Sequence, residues 1–203
     1  MKIAVIGAAG NAGQRIVREA LDRGHEVAAL GPNPDKLEAL GATTFAVADI
    51  TDPAALAPRL KGHDVVVSAV RFVRYEPDLL LDAVRAADVD RLAIVGGAGS
   101  LRGPGGGRVA DGPNFPEAAK PEAAAGQRVL DRLQEETDID WTFLSPSVAF
   151  TAGARTGIFR LGGDDLLVGA DGKSAISFED FAIALLDEIE KPRHSRRRFT
   201  VGY

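Results

Sequence analysis

Lys2-Ile3-Ala4-Val5-Ile6-Gly7-Ala8-Ala9-Gly10-Asn11-Ala12-Gly13 is the stretch that decides the fold. The run up to Ile6 has strand length and apolar character. Gly7, Gly10 and Gly13 follow at three-residue spacing, and Arg15-Ile16-Val17-Arg18-Glu19-Ala20-Leu21 then reads as a helix. Glycine permits a tight reversal and lets a bulky anion approach the backbone, because no Cβ intervenes. The N–H groups that open the following helix point at that anion, and the positive end of the helix dipole adds to the attraction. Strand, glycine turn and helix together make a phosphate cradle of the kind a dinucleotide site needs.

Outward from the cradle, apolar runs alternate with breakers. Gly24 ends the first helix, and Glu26-Val27-Ala28-Ala29-Leu30 reads as a second strand closed by the turn Gly31-Pro32-Asn33-Pro34. A short helix over 35–40 stops at Gly41, and residues 43–47 form the third strand. Asp52 caps a helix that begins at Pro53. Asp64-Val65-Val66-Val67-Ser68-Ala69-Val70 is an unbroken apolar strand, the type buried on both faces of a parallel sheet. A helix over 77–87, a strand over 91–95, a helix over about 117–136 and a strand over 140–144 continue the alternation, with Ser145-Pro146-Ser147 breaking the last strand. Strands alternating with helices imply an α/β fold, a doubly wound parallel sheet of Rossmann type with right-handed crossovers.

Residues 96–116 interrupt this order with Gly96, Gly97, Gly99, Gly103, Gly105, Gly106, Gly107 and Gly112. A long irregular loop inside a compact domain is usually functional or disordered. This one follows the carboxyl end of a strand, the ligand side of such sheets, so a substrate lid and a plain surface loop both fit. Residues 158–161 and 166–168, around Gly162-Gly163-Asp164-Asp165, read as a hairpin. A helix over 178–189 and a strand over 198–202 close the chain. Residues 1–203 thus form a single domain with a small substrate-side region over 146–180.

With 203 residues and 45% hydrophobic content, the chain supports one sizeable core. A formal net charge of −5 with no early basic face argues against nucleic acid as a partner. Arg193, Arg196, Arg197 and Arg198 form the one basic cluster, read as a solvated turn or a phosphate grip. Cysteine is absent, which excludes disulfides, thiolate metal sites and cysteine nucleophiles. The histidines His25, His63 and His194 lack metal-ligand spacing, so no metal is expected. Gly7 to Gly13 interrupt the first apolar run after too few residues for a signal peptide, and no stretch has membrane-spanning length. The expected setting is the cytoplasm, without a membrane, as monomer or homodimer acting on a small molecule.

The chain resembles the short-chain dehydrogenase/reductase superfamily, and within it the atypical NAD(P)H-binding branch of NmrA-like and biliverdin-reductase-B-like proteins. The resemblance covers essentially the whole chain. It rests on Gly7, Gly10 and Gly13, on the turn ending Asn33-Pro34, on Asp49-Ile50, on Ser68-Ala69 and on Gly96-Gly97-Ala98-Gly99. Trp141-Thr142-Phe143-Leu144-Ser145-Pro146 and the ending Phe199-Thr200-Val201-Gly202-Tyr203 add to it. It implies that Gly7, Ala9, Gly10, Asn11 and Ala12 wrap a pyrophosphate, and that Asp49 and Ile50 sit beside adenine. It further implies that Ala69, Val70 and Arg71 run along the ribose and that Gly96 and Gly97 approach the nicotinamide. Asp49 also suits a local cap before Thr51-Asp52-Pro53, and one residue can do both.

The chain departs from its relatives in two places. NADP-preferring relatives commonly carry an arginine, suited to bidentate phosphate binding, where this chain has Pro32. NAD-preferring folds place an acid at the end of the second strand, where Leu30 and Gly31 stand. Pro32 and Asn33 remain at the adenosine end, with Lys36 and Arg15 as cations in reach of a phosphate. NADP or NAD would be the cofactor, with NADP favoured by the resemblance. Second, the Tyr-x-x-x-Lys pair that transfers protons in standard members is missing: neither Tyr75 nor Tyr203 has lysine at that spacing, and Ala98 falls near the usual serine. Ser100 and Lys120 are the candidates left for catalytic roles, Ser100 donating to substrate and Lys120 touching a ribose hydroxyl. Arg71, Phe72, Arg74 and Tyr75 could wall the substrate together with loop 96–116.

The expected function is an NAD(P)H-dependent reductase of a small acceptor, flavin- or quinone-like, drawing protons from solvent. A non-catalytic redox sensor of NmrA type, or an isomerase or tailoring enzyme that reuses the pocket, fits the same residues.

Overall fold

In a computed structural model that describes all 203 residues, β1 (Lys2–Ile6) lies at the centre of the sheet. Its alternate side chains explain why. Ile3 and Val5 enter one apolar core and Ala4 and Ile6 the other, so the strand needs cover on both faces. The chain continues through α1 (Asn11–Asp22), β2 (Glu26–Gly31), α2 (Pro34–Glu38), β3 (Thr44–Val47), α3 (Pro53–Leu60), β4 (Val65–Ser68) and α4 (Pro77–Ala86). Then come β5 (Arg91–Val95), α5 (Lys120–Gln134), β6 (Asp140–Pro146), β7 (Ala149–Thr151), β8 (Arg160–Gly162), β9 (Ala175–Ser177), α6 (Phe178–Glu190) and β10 (Arg197–Gly202).

The main sheet has the order β3-β2-β1-β4-β5-β6-β10-β8. Every neighbouring pair is parallel except β10 with β8, which is antiparallel at the edge. Residues from α1 and α6 cover one face through Ile16, Val17, Phe181, Leu185 and Leu186. Residues from α3, α4 and α5 cover the other through Leu56, Leu60, Leu81, Val84, Val129 and Leu133. This is the doubly wound Rossmann-like α/β domain that the alternation of elements implies.

Three readings need correction. The hairpin expected over 158–168 does not form: β8 pairs with β10 instead, at Thr200–Gly162 and Val201–Leu161. The strand breaker expected at Ser145-Pro146 does not act, and β6 continues to Pro146 because β10 supplies its pairing. Loop 96–116 is no plain surface loop either. Arg102 N donates to Asp164 O at 2.9 Å and Leu166 N to Arg102 O at 2.8 Å, which ties the loop to residues 164–166. Val109 N returns to Leu101 O at 2.9 Å and closes the loop on itself.

Buried polar groups anchor the carboxyl-terminal elements. Asp180 opens α6 and accepts from Thr156 N and Gly157 N, both at 2.8 Å, and from Thr156 Oγ1 at 2.6 Å. The Tyr203 hydroxyl adds a contact to Asp180 Oδ2 at 2.8 Å. Glu19 of α1 accepts a two-pronged bond from Arg155 and another from Arg23, pinning the same 153–157 segment to the other helix.

Candidate functional site

Parallel strands in register bring their carboxyl ends to one edge, and the sequence-implied residues meet there. Ile6 lies opposite Leu30 and Ser68, Gly31 opposite Val47, and Ser68 opposite Ile94. The segments leaving those positions emerge side by side around the gap between β1 and β4, where the strand order reverses. Doubly wound sheets hold ligands outside such a switch point.

The glycine turn is shaped by close backbone contacts. Gly7 has φ +78°, and a Cβ on it would lie 2.7 Å from the Ala69 carbonyl oxygen. Gly7 N and Ala8 N donate to Leu30 O at 2.9 and 3.1 Å, and Gly10 N donates to Gly7 O at 3.0 Å. Gly10 is different in kind. It is exposed, and its Cβ would meet Gly7 O at 3.2 Å and Ala69 O at 3.9 Å, with open space beyond. Gly10 also holds the N-cap position of α1, and no side chain caps that helix. The opening N–H groups of a twelve-residue helix are thus free for an anion. Ala9 and Ala12 are half-buried and Asn11 exposed along the same turn. A pyrophosphate fits these residues, because side chains would fill the space and a polar cap would take the donors.

At the adenosine end, Pro32 is exposed and Asn33 caps α2, its Oδ1 accepting from Lys36 N at 3.0 Å. Lys36 is exposed beside it, whereas Arg15 is engaged by Glu179 at 3.0 Å. Asp49 is exposed at the end of β3. Its Oδ1 accepts from Thr51 N at 2.9 Å and Thr51 Oγ1 at 2.8 Å, and these bonds hold the carboxyl below its ordinary value. The local cap is therefore formed, and it leaves Oδ2 for a ligand. Ile50 needs correction, since its side chain is buried in the core and offers a ligand only backbone. Ala69 and Val70 are half-buried and Arg71 exposed, 3.5 Å from Glu122.

Gly96 and Gly97 have separate reasons. A Cβ on Gly96 would lie 2.4 Å from Phe143 Cε1 and 2.7 Å from Leu144 O, so packing against β6 requires it. Gly97 has only the Phe72 ring near, at 3.7 Å. Beyond Gly97 opens a cavity of about 250 Å³, walled by Phe72, Val109, Phe115, Ala123, Phe143 and Val148. Ser100 and Glu122 supply its polar side chains. Glu122 accepts from Phe72 N at 2.7 Å and Val73 N at 3.3 Å, so both its oxygens hold the 72–74 turn in place. Gly126 lets the Phe72 ring lie against α5, where a Cβ would approach it to 2.8 Å.

Ser100 therefore lines the cavity, but Lys120 does not. Lys120 is exposed and paired with Glu117 at 2.5 Å, facing a separate groove with Arg108, Gly112 and Gln127. Tyr75 is also misplaced as a wall residue. It is buried in the core, and burial pushes its hydroxyl well above the ordinary tyrosine range. Tyr203 is committed to Ser177 and Asp180. The histidines bind Glu190, the Leu60 carbonyl and Glu188, and no group of His, Asp and Glu side chains could hold a metal ion. Arg198 is no solvated turn residue: its side chain is only 10% exposed, with Nη1 on Ser100 Oγ at 3.0 Å and Nη2 on Asp164 at 2.6 Å. Glu122, Val109 and Phe115 escaped sequence reasoning. The two apolar residues are islands in a glycine-rich loop, a signal that marks them, whereas Glu122 reads as an ordinary first-turn acid.

Residues 7–192 match the NAD(P)H-binding family. The chain belongs to that family. It is 41% identical to the uncharacterised protein YwnB of Bacillus subtilis (strain 168), over 99% of this chain and 98% of YwnB. Among solved structures, it is similar to a provisionally named epimerase from Bacteroides thetaiotaomicron, with 39% identity and a TM-score of 0.94 over 100% of this chain and 96% of that one. It is likewise similar to a provisionally named NADH-flavin reductase from Streptococcus pneumoniae, with 36% identity and a TM-score of 0.84 over 100% and 99%. No helix of the NAD(P)H-binding protein is long and apolar enough to cross a membrane.

Proposed function

We propose that the protein is an NAD(P)H-dependent reductase of a small, neutral, planar acceptor of flavin or quinone type. The observation that carries the reading is the apolar cavity directly beyond Gly97, at the ligand edge of the sheet. Ala9, Asn11 and Ala12 hold the pyrophosphate through backbone donors, and Gly7 and Gly10 leave it room. Asp49 Oδ2 accepts from the adenine amine, with the backbone of Ile50 beside it. Pro32, Asn33 and Lys36 bound the adenosine ribose, and Ala69, Val70 and Arg71 follow the second ribose toward Gly96 and Gly97. Bound there, the dinucleotide supplies a hydride.

The chain's own part is to hold the acceptor flat against the apolar wall of Phe72, Val109 and Phe115 and to meet one of its oxygens with Ser100. Neither tyrosine reaches the cavity, so the balancing proton comes from solvent, a route open to acceptors whose reduced form is an anion stabilised by resonance. Glu122 spends both oxygens on backbone donors and is unsuited to abstract a proton, which weighs against an epimerase reading. The cavity lining carries no cationic side chain to hold an anionic acceptor.

NADP is the favoured form. β2 ends in Leu30-Gly31, followed by Pro32, without the carboxylate that holds a ribose diol in NAD-preferring folds, and Lys36 is exposed nearby. The absence of a tyrosine acid at the cavity supports a second reading, a sensor that binds the dinucleotide without turning it over.

Loss of nicotinamide absorbance on mixing NADPH or NADH with a naphthoquinone or a flavin tests the reading. Turnover with at least one acceptor is expected. Tight dinucleotide binding with no turnover across both classes would instead establish the sensor.

A further inference from the structure

Arg198 belongs to β10, opposite Phe143 of β6 in register, and therefore lies on the sheet face that holds the cavity. Its guanidinium is held by Asp164, with Nε at 2.8 Å and Nη2 at 2.6 Å, and its Nη1 donates to Ser100 Oγ at 3.0 Å. Guanidinium carries donors and no acceptor. The Ser100 oxygen must then spend a lone pair on Arg198, and its single proton cannot point back along that line. No other protein group accepts it, and Ser100 lines the cavity.

We infer that Arg198 is a positioning residue that fixes Ser100 as a donor toward the cavity, so that the acceptor presents a carbonyl oxygen there. The inference rests on the cavity beyond Gly97 being the acceptor site. Asp164 keeps the guanidinium in place, and the bonds between Arg102 and residues 164–166 keep Asp164 beside the loop that carries Ser100. A serine without this partner could turn its proton away and accept instead. Arg198 takes one of the two lone pairs and bars the proton from that direction, which favours carbonyl compounds over purely hydrocarbon rings of the same shape.

Calorimetric binding of 1,4-naphthoquinone and of naphthalene, without dinucleotide, separates the polar contribution from the shape of the cavity. The chain has no cysteine for the quinone to alkylate. The wild type should bind the quinone at least about fivefold more tightly than the hydrocarbon, the worth of one hydrogen bond. Ser100→Ala should reduce that ratio to about one while leaving naphthalene unchanged. Arg198→Lys, still a pure donor, should keep the ratio. Arg198→Gln offers an oxygen that can capture the serine proton and should lower it. A wild-type ratio near one, or Lys and Gln variants of equal ratio, overturns the inference. Should either Arg198 variant not fold, a Ser100→Ala ratio as high as the wild type's would still overturn the inference. Quinone-dependent NADPH oxidation, followed in parallel, separates the two failures. Turnover with a ratio near one sinks the inference and spares the reductase reading, whereas an intact ratio without turnover does the reverse.

Discussion

A Cβ on Gly13 would stand 2.2 Å from the carbonyl oxygen of Gly7. The first turn of α1 is therefore pressed against the end of β1, and only the absence of a side chain lets helix and strand approach that closely. Gly13→Ala should cost about 2–4 kcal/mol of stability, a range reached when a core position is overpacked against backbone. Thermal unfolding reads this directly, and an unchanged Tm would contradict the packing.

Gly10 separates binding from folding. Its Cβ direction is open beyond the Gly7 carbonyl, so Gly10→Leu should lower stability by only about 1 kcal/mol. The same side chain stands where the pyrophosphate would lie, and NADPH affinity should fall at least about a hundredfold, some 2.7 kcal/mol. Calorimetry on the folded variant checks both numbers together.

Asp49→Ala removes the free Oδ2 and also the acceptor for Thr51. Asp49→Asn keeps an oxygen for Thr51 and replaces the other with a donor. Both should weaken NADPH by about tenfold, near the worth of a hydrogen bond to a charged group, and only the alanine variant should also lose stability. Equal affinity in the asparagine variant would remove Asp49 from the adenine site.

Asp180 makes the fold sensitive to acid. Burial raises its pKa, but the bonds from Thr156, Gly157 and Tyr203 outweigh that and leave it below the ordinary carboxylate value. A depressed folded-state pKa means stability that is fully present above the unfolded-state value and is lost as pH falls from there through the folded-state value. Stability should therefore be flat above about pH 5 and decline toward pH 3 and below. Asp180→Asn should cost about 1–3 kcal/mol at neutral pH and flatten part of that acid limb. An acid limb of wild-type steepness in a folded Asp180→Asn variant would assign the effect to other carboxylates.

Glu122→Ala frees the 72–74 turn and so loosens the Phe72 wall of the cavity. The KM for the quinone should rise severalfold with little change in NADPH affinity. A change confined to NADPH would place Glu122 in the dinucleotide site instead.

The central sheet was legible because its information is local: Ile3 to Ile6 and Val65 to Val67 are apolar on both faces, and glycines or prolines punctuate each turn. The cradle was legible for the same reason, since Gly7, Gly10 and Gly13 act through backbone geometry that spacing records. The cavity was not. Its polar members come from α5 and from the turn after β5, and Arg198 reaches Ser100 across 98 residues. β8 misled for a related reason. Gly162-Gly163 is a good local turn signal, but pairing with β10 outweighs it, because the last parallel strand otherwise leaves an unpaired edge. Position alone points to Lys120, and its neighbour Glu117 holds it on the outer surface.

In the function proposed above, the turn over Gly7 to Gly13 holds a dinucleotide whose hydride is delivered into the cavity beyond Gly97. Stopped-flow oxidation of NADPH by 1,4-naphthoquinone, in the wild type and in folded Gly10→Leu, tests it most directly. Saturable oxidation in the wild type that disappears in the variant is the predicted result. Absence of dinucleotide binding in the wild type, or equal oxidation by both proteins, would contradict it.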